Sequence, residues 1–183
     1  MAIPADNVTA CCSAMPTSKA RSGKTSIINF KELKQLNYVY VSHWPYINIG
    51  ELGLNKQISN LKIDYTKLAS LYLIDNLNFL KRLNIYSAPN LRSIKDLLSL
   101  RENLTNLTLE KCPNIEDMET IAHLENLETL VIQNSAPIPS VEFIRNFKKL
   151  KYAYIGSEIL DGKTDVLDEL GIEYKKMKKY KKL

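Results

Sequence analysis

The feature that most constrains this chain is a spacing of apolar residues, three positions and then two, that returns six times. It is carried by Leu36, Val39, Val41; Ile58, Leu61, Ile63; Leu80, Leu83, Ile85; Leu104, Leu107, Leu109; Leu127, Leu130, Ile132; and Leu150, Ala153, Ile155. The starts lie 22, 22, 24, 23 and 23 residues apart. A period held that closely marks an array of repeated units. Residues two apart on a strand share a face, so Leu107 and Leu109 point inward together while Thr108 points out. Each repeat therefore opens with one short strand. After it, apolar residues step by three, as in Ile115, Met118, Ile121, Leu124, Leu127, which suits a 3₁₀ or loose helical return. One coil cannot bury its own apolar edge, so the coils must stack. Six strands side by side, about 4.8 Å apart, make a parallel sheet on the order of 25 Å long over a continuous leucine core.

The stretches "LTNLTLEKCPNI", "LKRLNIYSAPNL" and "LETLVIQNSAPI" resemble the leucine-rich repeat family, whose consensus is L-x-x-L-x-L-x-x-N/C-x-L. The resemblance covers roughly Leu36 to Ile172 and fits the short-repeat class. It implies an α/β solenoid: a curved right-handed coil with a parallel sheet on its concave face and 3₁₀ or short helices on its convex face. It also implies recognition of a protein by the concave strands. The sequence departs from the family at the ninth position of each repeat, where asparagine is usual. Here Trp44, Thr66, Ala88, Cys112, Ser135 and Glu158 stand. Of these Thr, Ser and Cys can still offer weak bonds to the turning backbone, and Ala none.

End coils need covers. Ile27, Phe30, Leu33 and Leu36 recur every three residues, so 26–35 reads as an N-terminal cap. Leu167, Leu170 and Ile172 repeat the three-then-two spacing and predict a truncated seventh strand within 167–174. These bounds give a single domain over 26–174. Residues 1–25, rich in Ala, Ser, Thr and Pro without the basic start and apolar stretch of a secretory signal, read as a disordered leader. Residues 175–183 form a lysine-rich tail.

The formal charge of +5 belongs to that tail, because without its six lysines the sum falls to −1. Tyr174, Met177, Tyr180 and Leu183 recur every three residues among the lysines. Two readings follow: a cap over the last coil, or a basic arm for acidic protein, nucleic acid or anionic lipid. No apolar run approaches the eighteen or so residues needed to span a membrane. The cysteines, Cys11, Cys12 and Cys112, form no disulfide framework or metal spacing, which points to a reducing, cytoplasmic setting.

The register names the outward strand residues that a partner would meet: Tyr38, Tyr40, Lys62, Asp64, Arg82, Asn84, Tyr86, Thr108, Glu110, Gln133, Tyr152 and Tyr154. Their mixed charge suits a protein better than a polyanion, and tyrosine gives apolar area with a polar tip. Catalytic and cofactor readings find little support. "SKARSGKTS" has Ser18 where a phosphate-binding loop needs its first glycine. His43 and His123 lie about three coils apart. Cys112 faces inward, as a small buried hydrophobe. Glu116, Asp117 and Glu119 are expected on the solvated convex side, with no acid and base pair evident. Triplets of the glycosylation type at Asn7, Asn103 and Asn106 carry little weight without a signal segment. The expectation is a monomeric, non-enzymatic interaction module without a cofactor. An inhibitor or immunity-type protein that neutralises an enzyme or toxin would need the same surface, and a nucleic-acid or membrane-surface binder would rely on the tail.

Overall fold

The structure is a computed structural model that describes residues 8–13, 36–43 and 47–174. The expected cap at 26–35, Trp44, the "SKARSGKTS" stretch and the lysine-rich tail lie outside the described residues. Eight strands run in sequence order through one all-parallel sheet: β1 (Val8–Ser13), β2 (Leu36–Ser42), β3 (Asn60–Asp64), β4 (Arg82–Tyr86), β5 (Asn106–Glu110), β6 (Thr129–Gln133), β7 (Tyr152–Gly156) and β8 (Glu173–Tyr174). Each strand from β2 to β7 hands the chain to a 3₁₀ turn, at Ile49–Leu52, Ile74–Asn76, Lys95–Leu100, Met118–His123 and Glu142–Asn146, or to the α-helix α1 (Asp165–Glu169). The result is an α/β solenoid-like arrangement of stacked coils.

The three-then-two residues form the core, except that Leu150 is only partly buried against it. Leu36, Val39, Val41, Ile63, Leu80, Leu83, Ile85, Leu104, Leu107, Leu109, Leu127, Leu130, Ile132 and Ile155 are completely buried, and Leu61 and Ala153 nearly so. The step-of-three residues of the returns join the same apolar cluster, among them Met118, Ile121, Leu124, Val141 and Ile144. Register is unshifted from β2 to β7, so Tyr40, Lys62, Asn84, Thr108, Val131 and Tyr154 lie side by side. One slipped residue would turn every leucine to water, which fixes this pairing.

The backbone between strand and return follows one rule. His43, Tyr65, Ser87, Lys111 and Asn134, each the first residue after a strand, take φ of 57°, 49°, 55°, 54° and 48°. A left-handed conformation in a non-glycine residue costs about 1–2 kcal/mol. It is held because each of these N–H groups donates to the last carbonyl of the next strand: His43 to Asp64, Tyr65 to Tyr86, Ser87 to Glu110 and Lys111 to Gln133 at 2.8–2.9 Å, Asn134 to Gly156 at 3.4 Å. After the last four of these the following residue, Thr66, Ala88, Cys112 or Ser135, turns inward. The Ser135 hydroxyl accepts from the Cys112 N–H at 3.1 Å and donates towards the Leu109 carbonyl at 3.1 Å, while the Ser157 hydroxyl accepts from the Ser135 N–H at 2.8 Å.

Four expectations are corrected. Within the supposed disordered leader, Val8–Ser13 pairs in parallel with β2, Val8 beside Leu36 and Ser13 beside Ser42. Without it β2 would present a row of unpaired backbone groups at the edge. In the last repeat the inward polar position falls on buried Ser157, and Glu158 is exposed. No left-handed residue follows β7, so the chain reaches that position one step early. The stretch with Leu167, Leu170 and Ile172 does not form a strand: Asp165–Glu169 is helical, Leu170 is 50% exposed, and the final strand is only Glu173–Tyr174, beside Tyr154 and Ile155. Val166 and Leu167, adjacent in sequence, are both buried, which a strand cannot do against a single core face. Asp117 is buried rather than solvated, because its carboxylate accepts from the Ser93 hydroxyl at 2.5 Å and the Ile94 N–H at 2.9 Å, fastening one return to the next.

Candidate functional site

Strand alternation places all twelve candidate residues on the sheet face opposite the core, in three rows across the strands. Tyr38, Arg82 and Tyr152 lie in the row at the strand starts. Tyr40, Lys62, Asn84, Thr108 and Tyr154 form the middle row. Asp64, Tyr86, Glu110 and Gln133 form the row at the strand ends. Arg82 and Tyr152 are exposed, and the others are half-buried except Asp64.

Asp64 belongs to the outward row but is not open to water, its side chain being only 9% exposed. The Tyr40 hydroxyl donates to Asp64 Oδ2 at 2.9 Å, and Lys62 Nζ lies 3.4 Å from the same oxygen and 4.9 Å from the Tyr40 ring centre. The hydrogen bond to Asp64 holds the Tyr40 phenol above its ordinary pKa, since losing its proton would place a second negative charge beside the carboxylate. Asp64 Oδ1 is buried and has no hydrogen-bond partner.

A second cluster lies beside it. Tyr65 stacks on His43 with ring centres 5.2 Å apart and meets Tyr86 edge to face at 5.1 Å. Lys111 Nζ donates to the Tyr86 phenol oxygen. That bond, and then one from Tyr65, holds the Tyr86 pKa below its ordinary value, while Tyr65, the donor to Tyr86, is shifted upward. The Lys111 ammonium is shifted upward by the same contact with Tyr86. Between these clusters a pocket of about 410 Å³ opens over Asn84, with Lys62, Asp64, Tyr86, Thr108 and Glu110 in its walls.

The sequence pattern therefore brings Tyr40, Lys62 and Asp64 together, and Tyr86 with Glu110 in the next strands, whereas Tyr152 and Tyr154 stand five strands from Tyr40. Tyr154 is close to its own strand end: a Cβ at Gly156 would lie 2.7 Å from its ring. Glycine lets that ring lie down there. The residues missed were His43, Tyr65 and Lys111, which follow the strands in the left-handed turns. Their constant place one residue before the ninth position of the repeat would have been the available signal only if the turn conformation were known. Cys112 is fully buried, and burial pushes its thiol up to about 11, as a packed group rather than a nucleophile. Among the described residues no group of three or more histidine, cysteine or acidic side chains could hold a metal ion, and no helix is long and apolar enough to cross a membrane.

The chain matches no family profile, and no curated protein matches its sequence.

Proposed function

We propose that this chain is a leucine-rich repeat module that binds a protein partner through the outward face of its strands. The observation that carries the reading is the concentration, on one side of a regularly stacked sheet, of tyrosines already ordered by neighbours. Tyr40 is bonded to Asp64, and Tyr86 to Lys111. Ordered aromatic side chains lose little conformational entropy on binding and are the side chains that dominate protein interfaces. The mixed charge of the face, with Lys62 and Arg82 against Asp64 and Glu110, favours a protein surface over a polyanion.

The test is a photo-activated cross-linking residue placed at Thr108 on the outward face or at Glu119 on the opposite side. Adducts to one protein from position 108 and not from 119, reduced in the Tyr40→Ala, Tyr86→Ala, Tyr154→Ala triple variant, are expected. Equal capture from both positions, or capture by the folded triple variant at full yield, contradicts the reading.

A further inference from the structure

The last coil ends the stack on an unfinished rung. β8 pairs only with Tyr154 and Ile155, so Tyr152 and Ala153, at the start of β7, have no described strand on that side. The core shows the consequence. Leu36, Ile58, Leu80, Leu104 and Leu127, which begin the other rungs, are completely buried, whereas Leu150 is only partly so. A groove of about 380 Å³ opens there, walled by Phe147, Leu150, Tyr152, Leu170 and Ile172. Tyr152 and Leu170 are 51% and 50% exposed. The two cations in its walls are already engaged, Arg145 by Glu142 and Glu169, and Lys151 by Glu128. Around the groove the coil is acidic: Glu158, Asp161, Asp165, Asp168, Glu169 and Glu173 are all exposed, and Lys163 is the one ammonium between residues 157 and 174. Among the described residues only Glu169 of these six enters an ion pair.

An open apolar end ringed by carboxylates calls for an occupant that brings apolar and positive groups together. Residues 175–183, which follow Tyr174 and lie outside the described residues, have that composition: six lysines, with Met177, Tyr180 and Leu183 at every third position. Residues three apart share one side of a 3₁₀ turn, so such a segment presents its apolar groups on one side and its lysines on the others. Its charge complements the coil, since six ammoniums meet six carboxylates of which one is already paired. Reach allows the contact. Tyr174 stands beside Ile155, so the groove at Tyr152 lies three residues back along the strand, about 10 Å, and nine residues span up to about 30 Å. We propose that segment 175–183 folds back onto the last coil, seating its apolar side chains in the groove against Leu150, Tyr152, Leu170 and Ile172 and its lysines against Asp168, Glu173 and the neighbouring acids. Exposed ion pairs are individually weak, so the apolar seat carries the docking and the charge selects the place. The docked segment completes the unfinished rung, and its lysines are neutralised by the chain's own acids instead of being offered to a polyanion. The reading of the outward face is independent of this contact.

The full chain, labelled with ¹⁵N, tests this by heteronuclear NOE and amide shifts over a sodium chloride series. At low salt the amides of 177–183 should give NOE values like those of β7. In the Tyr180→Ser, Leu183→Ser variant they should fall to those of a free chain, with amide shifts confined to 150–153 and 168–173. Asp168→Asn with Glu173→Gln should release the segment at a salt concentration roughly threefold lower than the unaltered chain requires, because exposed charge pairs are screened by salt. Unmoved amides in β4 and β5 show that each variant is folded. Free-chain NOE values for 177–183 in the unaltered protein would leave the groove to another occupant and overturn the proposal. Release of the acid variant at the same salt as the unaltered chain would also overturn it. So would a sedimentation mass of two chains that falls to one in the Tyr180, Leu183 variant, since the segment would then sit on a second copy.

Discussion

The outward face over β2 to β5 and the same face over β6 and β7 rest on the same kind of core but are built differently. In the first region Tyr40, Lys62 and Asp64 share one carboxylate, and Tyr65, Tyr86 and Lys111 share one phenol. In the second, the outward positions are Thr129, Val131, Gln133, Tyr152, Tyr154 and Gly156, without a charged group among them. The buried rungs do not distinguish the two, since Leu83 and Ile85 are as fully buried as Leu130 and Ile132. Stacking therefore determines the leucines in every coil and leaves the opposite face free to vary. The variation collects charge, ring contacts and an unsatisfied oxygen in one half.

Cutting the core should erase the comparison. Leu83→Ala under the first region and Leu130→Ala under the second are each expected to cost about 2–5 kcal/mol, read by urea denaturation, because each empties a fully buried site. A clear inequality between them would show that the halves differ beneath the surface as well as on it. The inter-coil bonds come next. Ser135→Ala removes the acceptor of the Cys112 N–H and should cost about 1–3 kcal/mol, the price of a backbone donor left without a partner inside the stack.

The titration of the tyrosines sharpens the contrast by pH. Tyr86 is held below its ordinary pKa by the hydrogen bond from Lys111, so in a phenolate absorbance titration it should ionise before the other tyrosines, and Lys111→Met should return it towards them. Tyr40 is held above its ordinary value by Asp64. The sign follows: its contribution to stability is complete below the ordinary tyrosine pKa and is lost as pH rises through the higher folded value. Asp64→Asn should remove that upward shift. The smallest effect belongs to the second region. Gly156→Ala must displace the Tyr154 ring, seen as altered ring signals of Tyr154 in NMR, with little change at Tyr86.

Much of this was legible in the sequence because strand alternation has a period of two and admits no intermediate answer. Once Leu107 and Leu109 are inward, Thr108 is outward, and the neighbouring Asn84 and Val131 follow from the repeat length. The turns were not legible. Of the five residues that take positive φ after the strands, only His43 and Asn134 are of types enriched there, and Tyr65, Ser87 and Lys111 are held there by bonds to the next coil. Tyr65 and Lys111 thereby enter the site from positions that the alternation does not describe. The missing turn residue after β7 likewise displaced the polar position from Glu158 to Ser157. Asp117 was misplaced because its burial depends on Ser93 and Ile94 in another coil, a contact that no local pattern records. Asp64 was correctly placed in its row, but its burial depends on a hydroxyl and an ammonium brought from Tyr40 and Lys62.

The central claim is that recognition resides in the outward face and is concentrated over β2 to β5. The measurement that tests it most directly is the affinity of the cross-linked partner for two folded variants, Tyr65→Ala with Tyr86→Ala, and Tyr152→Ala with Tyr154→Ala. The first pair should weaken binding by roughly 30-fold, about 2 kcal/mol, as for truncated anchors at the centre of an interface, and the second by less than about fivefold. Equal losses, or a greater loss from the Tyr152 and Tyr154 pair, would contradict the account.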